Sequence, residues 1–163
     1  SDLMQKLSIM MTGLALTAAL TTSAVSESHV DKAIAGAIKA RQSQMQLYAF
    51  NIGLLGTMAK GGMEYDATAA SAAATNLAAL TRMDQSRMWP QGSDNGTVGD
   101  MTKALPAIWA ADSDIMSKGM ALGAAAAAME TAAGQSLEAL QGAMAGLGGA
   151  CGACHKAYRQ SDN

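Results

Sequence analysis

From Ile34 onward the apolar residues return in alternating steps of four and three: Ile34, Ile38, Met45, Tyr48, Ile52, Leu55 and Ala59. Arg41 fills the one place in the series where an apolar residue is due. This rhythm puts a side chain on the same face of an α-helix at every turn, and it demands a long helix that hides one stripe against partners. Composition agrees. Half of the 163 residues are apolar but only 4% are aromatic, so alanine, glycine and methionine dominate where a sheet would need β-branched and aromatic side chains. Two prolines in the whole chain leave long helices uninterrupted.

The first helix is predicted over residues 28–59, with Ser28 as its cap and Gly61-Gly62 as its stop. A second, predicted over residues 67–83, follows Asp66 as N-cap and is an alanine block carrying Leu77 and Leu80. Residues 84–102 then form a long loop with Trp89-Pro90 and the turn-forming run from Gly92 to Gly96. Loops of this length carry a function or wrap something. A third helix is expected to begin within residues 103–107, with Pro106 in its first turn. It carries Ile108, Trp109, Ile115, Leu122 and Met129 and ends near Gly134. The fourth covers residues 135–159, with the seam Leu137, Leu140, Met144, Leu147, Cys151, Cys154 and Tyr158. No segment shows a period-two strand pattern. Four amphipathic helices with mostly short connections predict an all-α, antiparallel up-down four-helix bundle.

Ahead of these helices stand Met4-Gln5-Lys6, a mostly apolar stretch from Leu7 to Leu20, and small residues from Thr21 to Ser26. Charge, apolar run and small-residue site in that order read as a secretory signal over residues 1–26, with three leading extra residues, and residues 27–163 as the helical domain. The competing reading is a retained anchor. A membrane span needs about 20 apolar residues, and this stretch is shorter and rich in threonine. Either reading takes the domain out of the cytoplasm, and membrane association is expected only if the segment is retained. A net charge of -2 with no basic stripe gives nucleic acid nothing to bind. Neither a Ser/His/Asp set, nor clustered carboxylates, nor a lysine-bearing phosphate loop is present, so no enzyme is expected.

The chain's only cysteines lie in Cys151-Gly152-Ala153-Cys154-His155. In this spacing each sulfur can add to one vinyl group of a haem, and the following imidazole can ligate the iron. On a helix the three side chains fall within roughly a 100° arc, on the predicted core seam. One covalent haem c, held by Cys151 and Cys154 with His155 as proximal ligand, is therefore expected, in the periplasm. A structural zinc would need about four ligands, and the one other histidine is His29. A thioredoxin-like site would need a βαβ setting. The same helix holds Gly142, Gly146, Gly148, Gly149 and Gly152, each costing up to about 1 kcal/mol against alanine. Close approach of a macrocycle or of another helix would explain them.

Arg41 on a core stripe needs a partner, because burying a lone charge is costly. Haem propionates fit a guanidinium bidentately, although an arginine can also snorkel outward. Met45 lies one turn further on, where a thioether could reach the iron. With 13 methionines in the chain, ordinary packing is the competing reading.

Together these residues resemble the class II cytochromes c, the cytochrome c′ and cytochrome c556 group. The resemblance spans about residues 33–160. It is carried by Ile38-Lys39-Ala40-Arg41-Gln42, Asn51, Tyr65-Asp66, Trp89-Pro90, Ile108-Trp109 and the C-terminal run from Cys151 to Arg159. It implies that the residue four after Arg41 faces the distal side of the haem. In cytochrome c′ that residue cannot ligate, and the high-spin iron binds NO or CO. In the c556-like branch a methionine there ligates and makes a low-spin electron carrier. Met45 occupies the position, so the resemblance implies a low-spin carrier with His155 and Met45 as axial ligands, and the gas-binding cytochrome c′ is the alternative. It further implies that Arg159 lies near the proximal histidine, that a redox protein is the partner, and that two copies pair through the first two helices.

Overall fold

The computed structural model describes residues 30–162. The expected signal segment, Ser28 and His29 lie outside the described residues. The chain folds as helices α1 (Lys32–Ala59), α2 (Ala67–Thr81), the short α3 (Asn95–Val98), α4 (Ile115–Ala132) and α5 (Leu137–Tyr158). Among the described residues there is no strand, only an isolated antiparallel bridge between Ala104 and Arg159. The expected bundle is present, built from α1, α2, α4 and α5. Helix α4 packs along α5, and α2 lies against both α1 and α4, while α1 meets α5 more sparsely. No described helix is long and apolar enough to cross a membrane.

Local chemistry sets the helix ends. Asp31 begins α1 by accepting from the Ala33 N–H at 2.8 Å. Asp66 begins α2 as expected, accepting from Ala69 at 3.0 Å, and Ser136 does the same for α5 from Ala139. At the end of α1, Gly61 takes φ +76°, the Gly61 N–H reaches the Met58 carbonyl and the Gly62 N–H reaches that of Thr57. This paired closure needs a residue free of a Cβ at the left-handed position.

Three expectations change. The first helix begins at Lys32 with Asp31 as its cap, where residue 28 and a Ser28 cap were expected, because the Asp31 carboxylate takes the free N–H of Ala33. The third helix starts at Ile115, well after the expected start within residues 103–107. Pro106 opens only a 3₁₀ turn, Pro106–Trp109. The backbone groups a helix would need are used elsewhere: the Leu105 N–H donates to the Tyr158 carbonyl at 3.0 Å, and the Ala104 carbonyl accepts from Asn95 at 2.8 Å. The buried stripe of α1 also differs. It runs Ala37, Arg41, Gln44, Tyr48, Asn51, Leu55 and Met58. It shares Arg41, Tyr48 and Leu55 with the expected seam. Ile38 is also buried, but Ile34, Ile52 and Ala59 are only half-buried and Met45 is 38% exposed. The core that results joins Tyr48, Leu55 and Met58 of α1 to Ala70, Ala73, Ala74 and Leu77 of α2, Ala126 and Met129 of α4, and Leu140 and Leu147 of α5. Alanines on α2 let the neighbouring helices approach, and each fully buried Leu or Met contributes about 1.5–3 kcal/mol.

Candidate functional site

Helix α5 turns Leu140, Leu147 and Tyr158 fully inward, and Cys151 and Cys154 follow on the same seam, half-buried. The two thiols are not joined to each other. Burial pushes both up, so both are protonated thiols at neutral pH. His155, next in sequence, keeps much of its surface exposed. Desolvation and then the nearby Arg159 charge hold its pKa below the ordinary value, which favours the neutral, ligand-competent imidazole. Arg159 donates its backbone N–H to the His155 carbonyl at 3.0 Å, and its guanidinium forks onto Asp162 at 3.0 and 3.3 Å.

The end of α5 is tied to the start of α4 by Tyr158. Its hydroxyl accepts from the Asp114 N–H at 2.8 Å and donates to the Asp114 carboxylate. That bond, with lesser help from Lys118 at 3.5 Å, holds the Asp114 carboxyl below its usual range. It also explains why Asp114, unlike Asp66, puts no side-chain cap on its helix. Lys118 and Asp114 both lie close enough to influence the Cys154 thiol.

Helices α1 and α5 run antiparallel in a register that three pairs establish. Gln141 Nε2 donates to the Ala59 carbonyl at 2.9 Å. A Cβ added at Gly56 would lie 3.7 Å from the Met144 methyl. The buried Tyr48 hydroxyl senses the Cys151 thiol: burial first and Cys151 second push its pKa up to about 12, against a hydrogen bond from Gln44. From Ala59/Gln141 to Gly56/Met144 three residues back along α1 match three forward along α5, and from there to Tyr48/Cys151 eight match seven. Continued by one turn, this register carries α1 to Met45 and α5 to Cys154 and His155, and by two turns it carries α1 to Arg41 and α5 to Tyr158 and Arg159.

Arg41 is 3% exposed and does not snorkel. Its Nη1 donates to the Met88 carbonyl at 3.1 Å and to Ser93 Oγ at 2.7 Å. Its Nη2 donates to the Ser93 carbonyl and to Thr102 Oγ1 at 3.3 Å. Its guanidinium lies 4.8 Å from the Trp89 ring centre and 5.9 Å from that of Trp109, within cation–π range. Burial lowers its pKa and Asp94 partly offsets this. The long loop therefore wraps a buried arginine.

Sequence reasoning missed Gln44, Ser93, Thr102 and Tyr158 as polar parts of this region. Gln44 is buried and donates to the Leu80 carbonyl at 3.0 Å, while its Oε1 has no protein partner. A three-residue step from Arg41, instead of the four-residue step to Met45, would have found it. Of the two explanations for the α5 glycines, close packing against another helix of the chain finds no support among the described residues: a Cβ at Gly142, Gly146, Gly148, Gly149 or Gly152 meets nothing of them within 4 Å.

Comparison with known proteins identifies the family. The profile described as cytochrome c′ matches residues 36–159. Cytochrome c-554 of Cereibacter sphaeroides is 46% identical over 125 residues, which covers 77% of this chain and 81% of that protein. Cytochrome c-556 of Agrobacterium tumefaciens is 34% identical, covering 77% and 98%. The solved cytochrome c′ from Rhodobacter Spheriodes superposes with a TM-score of 0.74 at 39% identity, over 77% of this chain and 96% of that one. The donor set present suits the family's covalent haem c: two unlinked thiols on one helical face, with a neutral imidazole beside them. On a matched fold, a matched sequence and a fitting donor set, the chain belongs to the cytochrome c′ family of haem c-carrying four-helix bundles.

Proposed function

We propose that this protein is a periplasmic mono-haem electron carrier in which Cys151 and Cys154 would hold the haem through thioethers and His155 and Met45 would supply the imidazole and thioether that ligate its iron. The observation that supports this reading is the antiparallel α1–α5 register, which one turn beyond Tyr48 and Cys151 carries α1 to Met45 and α5 to Cys154 and His155. Met45 is also spared from the core stripe. Relatives named cytochrome c-554 and c-556 accord with it.

When bound, the haem supplies a one-electron iron couple. The chain's own residues do the rest. Cys151 and Cys154 fix the group on α5. His155 is kept neutral by desolvation and by Arg159. Met45 offers a thioether, which raises the reduction potential. Tyr48 and Leu55 of α1 pack with Leu147 of the attachment helix in one core and exclude water. The loop takes the four Nη hydrogens of Arg41 and leaves its Nε–H as the donor for a propionate. The physiological partner in this reading is a redox protein. A second copy is expected to dock on the outer face of α1 and α2, where Phe50 is 78% and Leu47 50% exposed.

A second reading, a high-spin cytochrome c′ that binds NO or CO, is favoured by the relatives named cytochrome c′. One solved relative, 29% identical, is a nitric oxide complex of a cytochrome c′ variant from Alcaligenes xylosoxidans. The optical spectrum of the oxidised protein decides between the two. We expect a low-spin spectrum with a methionine-to-ferric charge-transfer band that disappears in Met45→Leu. A high-spin wild-type spectrum, or a band untouched by the substitution, removes Met45 as a ligand.

A further inference from the structure

We infer that Arg41 is a positioning residue for the axial ligands: through the loop it clasps, it ties α1 to the C-terminal end of α5 and so sets the separation of Met45 from His155. This rests on the proposed His155/Met45 ligation. Met45 is on α1 and His155 on α5, and these are the two long neighbouring helices that touch each other most sparsely. Something other than their own packing must hold them in register at this end of the bundle.

Arg41 stands one turn before Met45, and Arg159 one turn after His155. All four Nη hydrogens of Arg41 go to the loop, with Trp89 and Trp109 against its planar face. An arginine placed only to meet a carboxylate would not need so many neutral partners. The hydroxyl of Thr102 carries the link onward. It accepts from Arg41 and, at 3.1 Å, from the Ala104 N–H. Ala104 is bridged to Arg159, the Leu105 N–H donates to the Tyr158 carbonyl at 3.0 Å, and the Gln160 N–H donates to the Lys103 carbonyl at 2.8 Å. Asn95 fastens the same crossing, donating its backbone N–H to the Ala104 carbonyl at 2.8 Å and its side-chain amide to Gln160 at 2.9 Å. The Arg159 N–H closes on the His155 carbonyl. A continuous series of hydrogen bonds thus runs from the helix of one candidate ligand to the residue whose backbone caps the other. A lysine, with a point charge and three donors, cannot reproduce the planar fork that holds it.

The test uses the haem-loaded protein and three variants. Arg41→Lys breaks the hub directly. Thr102→Val removes the relay hydroxyl, and Thr102→Ser keeps it. Far-UV circular dichroism establishes that each variant retains the helical fold. The readouts are the fraction of oxidised protein lacking methionine ligation, taken from the charge-transfer band, and the reduction potential. Loss of one hydrogen bond to a charged group should raise the methionine-dissociated fraction about tenfold in Thr102→Val, with a lowered potential. Arg41→Lys should do at least as much, and Thr102→Ser should behave as the wild type. If the wild type is methionine-ligated and both Arg41→Lys and Thr102→Val keep its band and potential, the positioning role is wrong and the ligation reading stands. If the wild-type protein has no methionine ligation, both fall together.

Discussion

Tyr158 shows how much one hydroxyl can organise. It closes α5 onto the N-cap residue of α4, and its bond to Asp114 is the main reason that carboxyl sits below the usual aspartate range. A carboxyl with a depressed pKa adds stability that is present above its unfolded value and is lost as the pH falls through its folded value. In Tyr158→Phe the Asp114 pKa should therefore rise toward the ordinary value, with Lys118 alone retaining a small part of the shift. A carboxyl-carbon NMR titration of the two proteins checks this, and an unchanged Asp114 curve would rule out the tyrosine as its cause. Arg41 makes the complementary point. A cation on a core stripe was legible in the sequence as needing a partner. That its Nη partners are carbonyls and hydroxyls of residues 88–102 was not, because those residues reach it only when the loop folds back across α1.

At the scale of the helix, the α5 glycines carry a cost with no packing return from this chain. Gly142, Gly146 and Gly149 fall on the face turned away from Cys151, and a Cβ there would stand in open space. Gly146→Ala should stabilise the protein by about 1 kcal/mol, from reduced backbone entropy alone, seen as a higher urea midpoint with an unchanged slope. A destabilised Gly146→Ala would mean that something does approach that face. Helix starts divide in the same way. Asp66 announces α2 correctly because an N-cap is a local interaction between residues three apart. The onset of α4 was misplaced because Lys103 and Leu105 give backbone groups to Gln160 and Tyr158, more than fifty positions later, which no local pattern records.

For the molecule as a whole, the unresolved face is the outside of α1 and α2. Leu47 and Phe50 are large and apolar, and solvent exposure of such side chains side by side marks a contact surface. If a second copy covers it, Phe50→Glu should shift sedimentation at micromolar concentration from dimer to monomer and leave the optical spectrum unaltered. A wild type that sediments as a monomer, or a variant that stays dimeric, puts the interface elsewhere. The bundle itself needs no such partner to be recognised. Its core of alanine, leucine and methionine closes within one chain.

The helical stripes, the absence of strand patterns and the CxxCH run by themselves determined an all-α bundle and a covalent haem, because both depend on short, local spacings: three to four residues for a helical face, and a one-turn arc for two thiols and an imidazole. The sequence also singled out Met45, but only by its place after Arg41 and by resemblance. The tertiary structure decided which flank of α1 is core. It shifted the buried stripe onto Gln44 and Asn51 and left Met45 outside it. It also turned a long loop into the clasp around Arg41. Those outcomes come from the register between helices and from a crossing between distant segments. A one-dimensional pattern can say that a stripe must be covered, but it does not say by what or at what height.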